Sequence, residues 1–403
     1  MELNEQNHGV RMKPALVVLV STVLLANALS PEIRSEGAQT MHGHNEYLVY
    51  VGSAIYEHGT AKNIYAYRFD ASTGNVASLG VAVESINPGG LAVHPNGRFL
   101  YSTNEVGDQQ KFTGGGVTAY AIDRGTGKLT VLNKQASGGA NPSYVVLDKT
   151  AKYLLTSNYY GGTVVSFPVH EDGSLGPACS KGYRDGSGPN KTRQDGPHLH
   201  SVYASPDNRF VIAPDLGEDK VLVYRFDAKT GALTPNDPPF ASVAPGAGSR
   251  HLAFSRDGKF IYVMNELQSS ITTFSYDAAK GALHDMGTIS ALPPDFKSEN
   301  TGAEIAVSNS GKFLYSSNRG LNSIAVFSID TTSGKLTPVE QAPTTGQMPR
   351  AFALDPTGGC LFAANQDSNN IVLFRVDSKT GRLTRTGPVL SAISPTFVAF
   401  VPL

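Results

Sequence analysis

Between residues 89 and 366 the chain writes one pattern six times: a short apolar run, a turn rich in Asn, Asp and Gly, then a second apolar run. The copies are GGLAVHPNGRFLYSTNE (89–105), PSYVVLDKTAKYLLTSNY (142–159), HSVYASPDNRFVIAPDLG (200–217), RHLAFSRDGKFIYVMNE (250–266), AEIAVSNSGKFLYSSNRG (303–320) and PRAFALDPTGGCLFAANQ (349–366). Apolar runs of this length around such a turn predict a β-hairpin. A second phrase follows each hairpin and occurs seven times, as in IYAYRFDASTGNV (64–76), VTAYAIDRGTGKL (117–129) and IVLFRVDSKTGRL (371–383). Its Gly falls where a turn needs positive φ, and its leading aromatic and β-branched residues alternate as a strand does.

The first phrase lacks a seventh intact copy because that copy is split between the chain ends. PTFVAFVPL (395–403) reads as its first strand and YLVYVGSA (47–54) as its second. Units of four strands cannot bury their faces singly, whereas a radial array buries them against neighbours and removes most exposed edges. The predicted fold is all-β: a seven-bladed β-propeller of four-stranded antiparallel blades, closed by pairing of the N- and C-terminal strands. A pair of β-sandwiches is the competing arrangement, and the regularity of the repeat argues against it. The 403 residues, enough for two or three average domains, thus reduce to one ring over 45–403.

The first 44 residues stand apart. Arg11 and Lys13 precede an apolar run at 15–29, the length of a signal-peptide core and short for a membrane span. Small and polar residues follow, so cleavage is expected between Ala28 and Ala38, with an uncleaved anchor as the alternative. No Cys follows the run, which argues against a lipoprotein. The expected product is a periplasmic or secreted body with no stable membrane embedding once the signal is removed.

Composition narrows the partners. Gly at 42, Pro at 24 and 17% charged residues fit many turns and few helices, and Trp at 0 excludes a propeller of the WD-signature type. A net charge of -1 argues against nucleic acid, whose phosphates call for a cationic excess. Cys179 and Cys360 have no partner at zinc-site or CxxC spacing and lie in different expected blades. No metal and no cofactor is expected.

In each first hairpin the start of strand one and the end of strand two share a rim, and the tight turns go to the other. The tight turns are bland. The shared rim carries His198, His200, Arg250, His251, Glu304 and Arg350 from the starts, and Glu105, Tyr159, Asp215, Glu266, Arg319 and Gln366 from the ends. Asn104, Asn158, Asn265, Asn318 and Asn365 recur from blade to blade and read as structural; His251, beside Arg250, also reads as a packing residue. Residues that differ between blades are the better functional candidates, since a structural role would repeat. Long connections at 106–116, 177–197 and 290–302 are expected on this rim, the second bringing Lys181, Arg184, Lys191 and Arg193. That basic stretch lacks a P-loop ending, and Asn190 to Thr192 formally matches a glycosylation acceptor.

Taken together, PHLHS (197–201), PDLGEDKV (214–221), GSRHLAF (248–254), YVMNEL (262–267), GAEIAVS (302–308), FLYSSNRG (313–320) and MPRAFALDPTG (348–358) resemble the lactonase-type seven-bladed propellers. That family includes bacterial 6-phosphogluconolactonases and fungal 3-carboxy-cis,cis-muconate lactonising enzymes, and the resemblance spans 47–403. It implies a site of one histidine, one glutamate and arginines at the channel mouth. By motif these are His198 or His200, Glu266, Arg250 and Arg319. The catalytic set is then His198, His200, Glu266 and Arg319, with Arg250, His251, Arg350, Glu304, Asp215, Tyr159 and Glu105 around the substrate.

Both family chemistries suit these residues. Lactone hydrolysis wants a base for water, cations on the oxyanion and an acid for the leaving alkoxide. Glu266 or a PHLHS histidine would be the base, and Arg250 and Arg319 the anion clamps. Cycloisomerisation wants arginines for carboxylates and one proton donor to carbon. Arginine forks bind carboxylate or phosphate bidentately, so the expected partner is a small anionic lactone or dicarboxylate. A non-catalytic binding propeller is the third reading; such a surface would more readily show exposed aromatics. The export signal sets this chain apart from a cytosolic phosphogluconolactonase and favours an unphosphorylated sugar lactone or another carboxylate lactone.

Overall fold

The computed structural model of the chain describes residues 45–55, 62–108, 111, 113–183 and 186–403. The expected export leader at 1–44 and Arg184 lie outside the described residues. Among the described residues, twenty-eight strands run from β1 (Glu46–Ser53) to β28 (Pro395–Pro402) and form seven four-stranded antiparallel sheets. Among the described residues no helix is long and apolar enough to cross a membrane.

Ring closure follows the split repeat. β28 pairs with β1, Tyr47 opposite Pro402, Val49 opposite Phe400 and Val51 opposite Val398, so the last strand becomes the innermost strand of the first blade. Among the described residues, seven apolar clusters hold the ring, each drawn from two neighbouring blades. One joins Ile212 and Val223 to Ile261 and Phe274; another joins Val49 and Phe69 across the closure to Phe362 and Leu373. The core therefore lies between sheets, and no blade buries its faces alone.

The turns obey the repeat down to backbone angles. Gly258 sits at φ 71° in one tight turn, and the equivalent position of another blade is Ala151, held at φ 55°. The second-phrase glycines also meet a neighbour: a Cβ on Gly281 would lie 2.5 Å from the Phe210 ring of the preceding blade. The recurrent asparagines are structural as expected. Asn158 donates to the Ser137 carbonyl and to Thr163, and Asn265 to Ser270 and Thr272.

The innermost strands that position the site are β8 (Ala140–Leu147), β16 (Ser249–Phe254), β20 (Thr301–Val307) and β24 (Pro349–Leu354). Each carries a bulge near its start. Ser249 pairs with Asn265 and His251 with Met264, leaving Arg250 as the extra residue; Arg350 is extra between Pro349 and Ala351, and Ser143 between Pro142 and Tyr144. In β20 the shift lies between Gly302 and Ile305. A bulge breaks the two-residue alternation and re-aims a side chain.

Candidate active site

A cavity of about 520 Å³ opens on the rim where these bulges lie, lined by Glu105, Tyr159, His200, Glu266, Arg319 and Arg350 among the expected residues. A chamber of about 10 Å³ adjoins it, walled by His200, Arg250, His251 and Arg350 with Glu105. Six of the expected residues thus meet in one cavity, and Arg250 and His251 stand directly behind it.

Glu266 is the hub. It follows β17 (Phe260–Asn265), and its Oε2 accepts from Arg250 Nε at 2.8 Å and pairs with Arg319 Nη2 at 3.1 Å. Its Oε1 accepts from Arg193 Nη2 at 2.7 Å. Burial acts to raise the Glu266 carboxyl, and the guanidiniums of Arg319, Arg250 and Arg193 overcome it, holding the group well below the usual carboxylate range. A carboxylate so held has little tendency to take a proton. Arg250 Nη1 also donates to the Ala303 carbonyl of the next blade at 2.7 Å, and Arg319 Nη2 to the Gly302 carbonyl of its own blade at 2.9 Å, so both forks are fixed by carbonyls of one innermost strand, β20. Burial pulls Arg319 below its ordinary value, Glu266 opposes this, and the group stays cationic at neutral pH.

The two PHLHS histidines separate. His200 faces the cavity, its ring edge-on to Tyr159 at 5.6 Å and to His251 at 5.0 Å, and its buried Nδ1 has no hydrogen-bond partner among the described residues. Burial, then the charges of Arg250, His251, Arg350 and Arg319, push His200 well below the ordinary histidine value, so it is neutral at pH 7. His198 instead stacks flat on Tyr159 at 4.5 Å, with Nε2 3.0 Å from Asp195 Oδ1 and Nδ1 3.2 Å from the Tyr159 carbonyl. It backs the cavity wall.

Two expected carboxylates also serve other groups. Asp215 Oδ1 accepts the amides of His198, Gly217 and Glu218, which fixes the PHLHS turn from outside the cavity. Burial raises its carboxyl to about 7. Glu304 contacts His251 Nδ1 at 2.9 Å; burial takes His251 down to about 4 against the pull of Glu304, so it too is neutral. Glu105 reaches the cavity past Gly89, where a Cβ would lie 1.7 Å from Oε1.

Of the basic loop, Arg193 alone among the described residues lines the cavity. Lys181 lies in the outermost strand β11 (Ser180–Tyr183) and donates to the Gly138 carbonyl, while Lys191 donates to Gly188. Asn141, Ser143, Tyr160, Thr301 and Met348 complete the lining and were not candidates from sequence. Ser143 was findable only through its bulge. Among the described residues no group of three or more His, Cys, Asp or Glu side chains is arranged to hold a metal ion.

With the geometry in place, the family follows from comparison. The family model described as lactonase, seven-bladed β-propeller, matches residues 48–400. The chain belongs to that lactonase family. Among similar proteins, a 6-phosphogluconolactonase of Bacillus subtilis is 39% identical over 312 residues, covering 77% of this chain and 86% of the relative. A 6-phosphogluconolactonase of Formosa agariphila is 36% identical over 299 residues, covering 73% and 82%. The structure of the periplasmic gluconolactonase of Pseudomonas aeruginosa superposes with a TM-score of 0.81 at 34% identity, covering 88% of this chain and 99% of that one. The seven-bladed propeller expected from the repeat, and the lactonase family expected from the resemblance of the motifs, thus have a solved counterpart at 34% identity.

Proposed function

We propose that this chain is a lactone hydrolase that opens a sugar-acid lactone at the channel mouth, after export from the cytoplasm. The observation that carries the reading is the neutral imidazole of His200 lining a cavity shared with Arg319 and Arg350. In this mechanism His200 accepts a proton from water as the water oxygen bonds to the lactone carbonyl carbon. Negative charge develops on the carbonyl oxygen beside the guanidinium of Arg319 or Arg350, where a fixed cation stabilises it more than water would. When the ring C–O bond breaks, His200 returns the proton to the leaving oxygen. Glu266 acts as a positioning residue, its two oxygens occupied by three arginines.

The names of the relatives in Bacillus subtilis and Formosa agariphila support a phosphorylated aldonolactone, and that of the Pseudomonas aeruginosa neighbour an unphosphorylated one outside the cytoplasm. The apolar run at 15–29 supports the second compartment. The deciding experiment incubates the mature protein with glucono-δ-lactone, its 6-phosphate and a muconate. Acceleration confined to the lactones is the expected result; turnover of the muconate alone identifies a cycloisomerase, and no turnover a binding propeller.

A further inference from the structure

Arg193 differs from the other cavity arginines in where it comes from and how it is held. Arg250 and Arg319 stand on or beside bulged strands, are almost wholly buried, and are fixed to carbonyls of β20. Arg193 comes from the connection between β11 and β12 (Tyr203–Ala204), and its side chain is 39% exposed at the mouth. It reaches Glu266 Oε1 and, at 3.4 Å, the Tyr159 hydroxyl. Both contacts use Nη2. Among the described residues Nε and Nη1 donate to no protein group, which leaves one edge of the fork for an oxyanion.

The loop is built to hold that fork in place. Gln194, the next residue, is fully buried, and its Nε2 donates to the Leu216 carbonyl at 2.8 Å and to Asp219 Oδ1 at 2.7 Å. Its Oε1 accepts the Asn190 amide, its backbone carbonyl accepts the Gly188 amide, and Asp219 also anchors the Gly246 and Gly248 amides. A surface arginine would need none of this. Fixing the backbone beside it lowers the entropy lost when the guanidinium binds.

Charge gives the chemistry of the ligand. Among the described residues that line the cavity and its chamber, the guanidiniums of Arg193, Arg250, Arg319 and Arg350 stand against the carboxylates of Glu105 and Glu266, with His200 and His251 neutral. That leaves two positive charges in a confined space. A developing oxyanion accounts for one. We infer that Arg193 is the specificity-determining residue that binds a second anionic group, a carboxylate or phosphate monoester, carried by the lactone away from its ester. The inference rests on the lactone hydrolase reading and names the substrate class for it.

The test compares three lactones with wild type and the Arg193→Gln and Arg193→Lys variants: neutral glucono-δ-lactone, its 6-phosphate and a glucaric acid lactone bearing a free carboxylate. In the Gln variant, kcat/KM for an anionic lactone relative to the neutral one is expected to fall at least tenfold, mainly through KM, with partial recovery in Lys. The phosphate and carboxylate arms show which anion is native. Calorimetric binding of 6-phosphogluconate, glucarate and gluconate gives a second readout independent of turnover. There the wild type is expected to prefer at least one of the acids that bear a second anionic group to gluconate, and the Gln variant to lose that preference. A wild type without the binding preference, or a ratio that stays within twofold on substitution, overturns the inference. Wild type that opens no lactone sinks the hydrolase reading instead, and the binding arm still judges Arg193.

Discussion

Arg250 Nε lies 2.8 Å from Glu266 Oε2 with both side chains buried, and the same oxygen also meets Arg319. Breaking a buried pair from one side strands an uncompensated charge and costs on the order of 3–5 kcal/mol. Glu266→Gln is therefore expected to destabilise the fold by that order and to reduce kcat/KM more than tenfold by misplacing the arginines. Urea unfolding beside steady-state kinetics checks both; loss of activity at unchanged stability would restore Glu266 as the base.

His200 is held neutral by burial and by the cations around it. Protonation of the base stops the reaction, so the acid limb of kcat/KM is expected well below pH 6.5, with a flat profile from there to neutrality. His200→Gln is expected to lose about 10²–10⁴-fold in rate, the range for removing a general base, and to lose that limb. A pH–rate profile of both proteins decides the point.

Gly89 leaves room for the Glu105 carboxylate, and an added methyl would displace it. Gly89→Ala is expected to change activity more than stability, because the far end of a flexible side chain moves while the strand stays. Thermal unfolding and kinetics on one preparation separate the two effects. A variant with wild-type kinetics would show that the position of Glu105 is immaterial.

Asp215 has its carboxyl raised to about 7 by burial, against 3.8 in the unfolded chain. Between those values the unfolded state has released a proton that the folded state keeps, so the stabilisation from this group is complete below pH 3.8 and is lost as pH rises to 7. Asp215→Asn removes this dependence while keeping an acceptor for the three amides. Its Tm is expected to fall less than that of the wild type between pH 4 and pH 7, as followed by circular dichroism on the two proteins.

Ala151 occupies a left-handed turn position at φ 55° that is Gly258 in another blade. A side chain there costs about 1–2 kcal/mol relative to glycine. Ala151→Gly is expected to stabilise the protein by up to that amount, less the entropy glycine adds to the unfolded chain. Its effect on kcat should be nil, because the turn lies on the rim away from the cavity.

The repeat alone determined the blades, their number, the split blade and the rim on which polar residues gather. Strand pairing and turn chemistry are local, and a pattern written six or seven times leaves little freedom in register. The structural asparagines were legible for the same reason: they recur, and each ties its strand end to a neighbouring strand or to the connection entering its blade. Tertiary structure decided which rim residues share the cavity. His198 and His200 both belong to the PHLHS motif, yet one stacks on Tyr159 and the other faces the cavity. Arg250, Arg350 and Ser143 enter through bulges that interrupt the alternation a sequence pattern relies on. Arg193 arrives from a loop outside the repeat, held by Gln194, and Glu266 becomes a hub because three arginines from separate segments meet on it. Those positions depend on contacts between blades distant in sequence, and only the closed ring brings them together.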